Sequence, residues 1–247
     1  MSDCSLSTLS GLENAQNLIK LDLHNNTIRN LAPLSTLTAL RELDLSHNAV
    51  TNLSALSNLS NLEALNVSYN ILTDVAPLDT CQRITTLIAN NNQISTLEGI
   101  AQLTGLTNLN LYKNALTEIS DLANCTELVE LEIGNNSIED ISVLSNISSL
   151  EVLSFASNQV TNLPNWGEDA KLRSIDGSYN QIQSLSPLRN MHTLTHIFMD
   201  YNQITSVNAI ANCYNLVQVN VYGNEIESVD ALKEHEIIVN WDPTAAE

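Results

Sequence analysis

From Leu21 onward the chain reads apolar, polar, apolar, and three residues later reaches an asparagine; the pattern returns every 22 residues. Its first apolar member falls at Leu21, Leu43, Leu65, Leu87, Leu109, Leu131, Leu153, Ile175, Ile197 and Val219, with no insertion or deletion. Counting that residue as position one, positions one and three are apolar around a polar residue, the period of a short strand with one buried face. Positions 8, 11, 14, 17 and 20 are also mostly apolar; in the first unit they are Ile28, Leu31, Leu34, Leu37 and Leu40. A constant step of three suits tight turns or 3-10 helix better than a 3.6-residue α-helix. Each unit therefore predicts a flattened coil of strand, turn and thin 3-10 or extended return. Stacked coils bring their strands into one parallel sheet, about 4.8 Å between neighbours.

Position six is Asn in every unit: Asn26, Asn48, Asn70, Asn92, Asn114, Asn136, Asn158, Asn180, Asn202 and Asn224. The chain leaves the strand there and turns inward, so backbone groups lose their ladder partners. Asn carries an acceptor and two donors on a short side chain. It can bond the backbone of its own coil and of the next, giving a buried, satisfied ladder. The column is read as structural rather than as a binding stripe.

The run Leu21-Asp22-Leu23-His24-Asn25-Asn26-Thr27-Ile28, continuing to Leu40, resembles the 22-residue leucine-rich repeat. It is most similar to the internalin-type repeats of bacterial surface proteins. Ala32-Pro33-Leu34, Ala76-Pro77-Leu78 and Ser186-Pro187-Leu188 at positions 12 to 14 fit that subtype. The resemblance implies an α/β repeat solenoid, a right-handed superhelix with a parallel concave β-sheet and a 3-10 or extended convex side. It implies protein recognition as the usual task. The expected organisation is one domain over 1–243: a partial repeat at 4–20, ten full repeats from Leu21, a C-terminal end at 239–243, and a tail or linker at 244–247.

At the N-terminal end, Leu6, Leu9, Leu12 and Leu18 align with Ile28, Leu31, Leu34 and Leu40, and Cys4 falls on the asparagine position. The chain thus begins mid-repeat without a polar cap, and Met1-Ser2-Asp3-Cys4 has neither the basic flank nor the apolar run of a secretory signal. The first coil is expected to fray, to be covered by a neighbour, or to continue a longer protein. At the other end, Trp241 is expected at position one of an eleventh unit, covering the core. Pro243 cannot donate to a further ladder.

Cys81, Cys125 and Cys213 share position 17, the inward slot that Leu37 fills in the first unit. Two coils separate the first pair, roughly 10 Å on the strand spacing, beyond the ~7 Å reach of a disulfide. They read as small buried hydrophobes. Position three runs Phe155, Gly177, Met199, which looks like volume compensation between adjacent coils. One unit departs from the pattern, with Trp166 at position 14 and Asp169 at position 17. An unpaired acid does not sit in a core slot, so the return is expected to bulge outward there.

Composition narrows the function. Lys and Arg number 9 against 28 Asp and Glu, a formal net charge of −19, which argues against nucleic acid and anionic membranes. Apolar residues make up 43%, so the acidity does not signal disorder. No apolar run approaches the roughly 20 residues that span a bilayer. There is no glycine-rich phosphate loop, Gly-x-Ser-x-Gly, His-Glu-x-x-His or Cys-x-x-Cys, so no enzyme and no cofactor is expected. His24 and His47 lie on adjacent coils near Asp22 and Asp44 and have the donor types of a transition-metal site. They read more simply as solvated histidines, with Lys20 as the nearby counter-charge, so no metal is assigned. Seven Asn-x-Ser/Thr sequons are explained by how common Asn and Ser are here.

The exposed strand positions are 2, 4 and 5. Five of the six tyrosines fall at position 4 or 5: Tyr69, Tyr112, Tyr179, Tyr201 and Tyr222. With Phe198 at position 2, Tyr179, Tyr201 and Tyr222 cluster on three successive coils, flanked by Asp176, His196 and Asp200. Stiff aromatic area on an open face marks an interface. The expected ligand is a protein, with a glycan as the alternative, held on the concave face and basic at its rim. A monomer is expected, with end-to-end association through the N-terminal coil as the alternative. The resemblance points to a bacterial cell surface or secreted setting. The rival readings are an intracellular scaffold of the kind seen in eukaryotic phosphatase regulators, and a targeting segment of a larger enzyme.

Overall fold

The computed structural model describes residues 1–167, 169–233 and 236–242; Pro243 and the tail 244–247 lie outside them. The chain packs as two compact units, Met1–Leu128 and Val129–Glu247. The first holds strands β1 (Lys20–Asp22), β2 (Glu42–Asp44), β3 (Ala64–Asn66), β4 (Thr86–Ile88) and β5 (Asn108–Asn110). The second holds β6 (Glu130–Glu132), β7 (Val152–Ser154), β8 (Ser174–Asp176), β9 (His196–Phe198), β10 (Gln218–Asn220) and β11 (Ile238–Asn240). Within each unit the strands are parallel and ordered as in the chain. Each pairs position one with position one, as Leu21 with Leu43 and Ile175 with Ile197. The fold is an open repeat solenoid of parallel coils.

The returns are 3-10 helices of three to five residues, and no α-helix occurs among the described residues. The step of three has a backbone cause. Leu34 N donates to Leu31 O, Leu37 N to Leu34 O and Leu40 N to Leu37 O, at 2.8, 2.9 and 3.0 Å. Each inward leucine thus satisfies the amide of the next, and the core meets no orphan donor along the return. Cys81, Cys125 and Cys213 sit buried in this layer as free thiols. Each Sγ lies near the position-14 carbonyl of the preceding coil, as Cys81 Sγ to Leu56 O at 3.4 Å. Burial pushes the Cys125 thiol up to about 11.

The asparagine column is the ladder the sequence implies. Asn70 Nδ2 donates to Leu45 O of the preceding coil (2.9 Å) and to Val67 O and Ser68 O of its own (3.0 and 3.2 Å). Its Oδ1 accepts Val50 N at 2.9 Å. Asn180, Asn202 and Asn224 repeat the same set in the second unit. Asn26 extends it to the partial repeat, where its Oδ1 accepts Leu6 N at 2.8 Å.

Position five is left-handed in every coil, at residue 3 and from Asn25 to Gly223. Asp3, Asn25, His47, Tyr69, Asn91, Lys113, Asn135, Ser157, Tyr179 and Tyr201 have φ between 53° and 57°, and Gly223 has 67°. This reversal ends the strand and aims position six inward. For a residue with a Cβ it costs roughly 1–2 kcal/mol.

Three irregularities are resolved. A Cβ on Gly177 would lie 2.5 Å from Phe155 Cζ and 2.9 Å from Met199 Sδ, so the glycine makes room for the ring. In the unit from Leu153 the described residues form no helix; Asp169 is exposed, as the acid requires, while Trp166 and Ala170 are buried. The C-terminal register differs from the sequence expectation: Val239 pairs with Val219, so Val239 holds position one and Trp241 position three. The shortening by two residues falls between Leu232, where the pattern still holds, and Ile238.

Candidate functional site

In the second unit, positions 4 and 5 of consecutive coils bring three tyrosines into one row. Tyr179 and Tyr201 share position five, and their rings stack at 4.6 Å with planes 17° apart. Tyr222, at position four of the next coil, meets Tyr201 edge-on at 5.6 Å and 72°. Gly223 permits this: a Cβ there would stand 2.6 Å from Tyr201 Cδ1. The rings remain open to solvent, at 56%, 45% and 47% exposure for Tyr179, Tyr201 and Tyr222. Two of the three rest on left-handed backbone, where Asn or Gly would be cheaper. Phe198 on β9 is half-buried beside His196, centroids 6.0 Å apart.

Carboxylates line the same face. Asp200 Oδ1 accepts Tyr222 N at 2.8 Å and Asp176 Oδ1 accepts Ser178 N at 3.0 Å. Glu132 Oε1 accepts Gly134 N at 3.0 Å. Burial, joined by the negative charge of Asp176, holds the carboxyls of Glu132 and Asp200 above the usual range. Among the described residues no ion pair reaches Glu132, Asp176 or Asp200. Arg173 turns instead to Glu151 (3.3 Å) and Lys233 to Asp230 (2.5 Å). The face therefore offers aromatic area over uncompensated negative charge.

The sequence-derived set thus divides. Tyr179, Tyr201, Tyr222, Phe198, His196, Asp176 and Asp200 share β8 to β10 and their exits. Tyr69 belongs to the first unit, where it stacks on His47 at 4.1 Å and 11°. Tyr112, 39% exposed, follows β5 in the first unit. Glu132, which the sequence reading passed over, joins the acidic side; its position-2 place on β6 was the available signal. Tyr214 stands on the return, 69% exposed and parallel to His192 at 6.2 Å.

The first unit carries a different arrangement. Ligand atoms of Asp22, His24 and Asp44 lie within 4.8 Å of one another. His47 is drawn away by Tyr69, and Lys20 pairs with Glu42 (2.5 Å) rather than with the aspartates. Beside them a shallow depression of about 310 Å³ opens over β1 to β4, lined among others by Asp22, Asp44, Ala64 and Asn66.

The sequence matches the family described as Leucine Rich repeats (2 copies) over residues 38–80, 82–124 and 105–149. A comparison with curated protein sequences returns no match. Among solved structures, an internalin (inlF) from Listeria monocytogenes is 30% identical, with a TM-score of 0.94 over 98% of this chain and 72% of its own. A Leptospira interrogans leucine-rich repeat protein is similar at 24% identity and TM-score 0.77, over 90% of this chain and 65% of its own. A plant peptide hormone receptor solved in complex with RGF2 has the fold at 24% identity and TM-score 0.82, over 94% of this chain and 40% of its own. No helix among the described residues is long and apolar enough to cross a membrane.

Proposed function

The chain belongs to the leucine-rich repeat family in its internalin-like form, and from that premise we propose a non-enzymatic recognition module whose sheet face holds a protein ligand on the row Tyr179, Tyr201 and Tyr222. One observation carries this reading: three exposed rings in mutual contact on consecutive coils of one unit. Aromatic rings supply large contact area at low entropic cost, and truncating such an anchor typically costs ~2 kcal/mol or more of binding. The unpaired Asp176 and Asp200 favour Lys or Arg at the partner's rim, where charge acts mainly on association rate. A glycan is the alternative ligand, since stacked rings also suit sugar faces. The likeness to a Listeria internalin supports a bacterial source and a surface or secreted setting.

The test is a binding comparison with a captured partner. Tyr201→Ala should weaken binding about tenfold or more while the melting temperature falls only by what its ring contacts contribute, because the ring lies outside the core. Tyr214→Ala, on the return, should bind as the parent does. Loss of binding in Tyr214→Ala with Tyr201→Ala unaffected would move the site to the return side. Replacing Asp176 and Asp200 by Asn should slow association and flatten its salt dependence.

A further inference from the structure

Asp22 and Asp44 are direct partners on β1 and β2. Like charges placed so destabilise a sheet unless something sits between them. Lys20 does not, because its ammonium is taken by Glu42. What stands there is His24. Its Nδ1 is 2.7 Å from Asp22 Oδ1, and its Nε2 is 3.2 Å from Asp3 Oδ2. We propose that Asp22, His24 and Asp44 form a binding site for a divalent transition-metal ion of the zinc class, with Asp3 holding the imidazole from behind. The site lies in the first unit and does not depend on the aromatic row in the second.

The donor set fits that ion. Zinc takes histidine nitrogen and carboxylate oxygen at about 2.0–2.2 Å, which at a tetrahedral angle puts the two donors about 3.4 Å apart. Nδ1 and Oδ1, hydrogen-bonded at 2.7 Å, need to part by less than about 1 Å to admit the ion in place of the proton. A metal-bound imidazole usually donates its other N–H to a carboxylate, which fixes ring and tautomer; Asp3 stands where that acceptor is required. Asp44 is oriented in the same way: Ser46 N and Oγ donate to its Oδ1 at 2.8 and 2.6 Å, and Asn66 Nδ2 to its Oδ2 at 3.0 Å. The imidazole selects zinc-like ions over calcium or magnesium, which prefer all-oxygen shells. The depression beside Asp22 and Asp44 leaves room for water, or a partner's donor, to complete the coordination. A ligating imidazole must be unprotonated, so protons compete with the ion for Nδ1. Binding should therefore weaken as pH falls.

The experiment uses the untagged 247-residue chain carrying Cys4→Ser, since Cys4 is an exposed thiol next in sequence to Asp3. Zinc chloride is titrated calorimetrically at about pH 7.5 and about pH 5.5, with histidine ring resonances followed by NMR. One ion per chain is expected, shifting the His24 ring. His24→Ala, Asp44→Asn and the lower pH should each weaken it about tenfold or more, and His47→Ala should leave it unchanged. Calcium chloride should not compete. No saturable binding, or binding that survives His24→Ala, overturns the assignment; so does loss in His47→Ala alone. His24 is half-buried outside the apolar core, so its variant tests the site without threatening the fold.

Discussion

At position five the first unit carries Asn25, His47, Tyr69, Asn91 and Lys113, and the second carries Asn135, Ser157, Tyr179, Tyr201 and Gly223. Both sets stand on the same left-handed backbone, with the same asparagine following. The side chains differ: one unit pairs a histidine with a tyrosine beside an Asp-His-Asp cluster, the other builds a three-tyrosine row over carboxylates. The difference teaches that scaffold and cargo are set by separate columns. Positions one, three, six and the returns carry burial and hydrogen bonds and hardly vary. Positions two and five reach solvent, as position four does at Tyr112 and Tyr222 though not at Ser46, Ser68, Gly134 or Ser178, which are buried, so each coil can change its chemistry there without changing its path.

The largest expected effect tests whether the scaffolds are equivalent. Asn70→Ala in the first unit and Asn180→Ala in the second each leave the same buried donors and acceptors unpaired. Each should cost ~1–3 kcal/mol, and by similar amounts. Chemical denaturation of the two variants measures this. A clear inequality would show that the ladder does not bear equally on both units. Position five gives a poor silent control for such a change, because Ala there inherits the left-handed strain; Asn135→Gly is the neutral choice.

Next in size is a packing feature particular to the second unit. Gly177→Ala drives a methyl into Phe155 and Met199. Overpacking of that kind costs ~1–3 kcal/mol. Phe155→Leu should recover part of it, since the smaller side chain vacates the space. If the double variant is no more stable than Gly177→Ala alone, the ring is not the cause.

The columns that burial enforces were legible from the sequence alone. Ten asparagines and a step of three leave little choice of fold, because every exception must be compensated locally, as Gly177 is by Phe155. The left-handed turn was not legible, because Tyr, His, Lys and Ser occupy position five as well as Asn, Asp and Gly. Backbone geometry there is dictated by the turn, not by the residue's preference. Trp241 misled because Val239 and Trp241 are both apolar, so a two-residue shortening leaves the pattern readable in either register. Of the candidate sites, the tyrosine cluster could be seen on the period alone. The histidines near Asp22 and Asp44 read from the sequence as solvated, because the grouping of Asp22, His24 and Asp44 turns on which partner Lys20 and His47 choose.

A smaller effect separates strain from cargo. Lys113→Gly and Ser157→Gly relieve left-handed backbone and sacrifice no ring stack recorded for either residue. Each should stabilise its unit by ~0.5–1 kcal/mol. Tyr179→Gly relieves the same strain but forfeits its stack on Tyr201, worth ~0.5–1.5 kcal/mol, so it should be close to neutral in stability while weakening ligand binding. Thermal melts of the three variants decide it. If Tyr179→Gly stabilises as much as Ser157→Gly, the stack contributes nothing to the fold and the row is maintained for recognition alone.

The smallest effect gives the two units opposite responses to pH. In the first, the His24 amide, and then its ring, hold the Asp22 carboxyl below its ordinary value of 3.8. Such a group stabilises the fold above that value and stops doing so as pH falls through its lower folded one. In the second, burial holds the Glu132 and Asp200 carboxyls above their ordinary values of 4.5 and 3.8. The folded state then binds these protons more tightly than the unfolded chain, so ionisation at neutral pH carries a penalty. That penalty is relieved as pH falls from the raised folded value towards the ordinary one. Glu132→Gln should therefore raise the melting temperature at neutral pH, with the advantage shrinking through that window, and its amide oxygen can still accept Gly134 N. Asp22→Asn should lower the melting temperature at neutral pH and converge on the parent in acid. The shifts are small because Asp22 is exposed and screened by solvent. Were Glu132→Gln to destabilise equally at every pH, the bonds from Gly134 and Ser154 would outweigh burial, and the carboxylates of the second unit would be part of its scaffold rather than of its cargo.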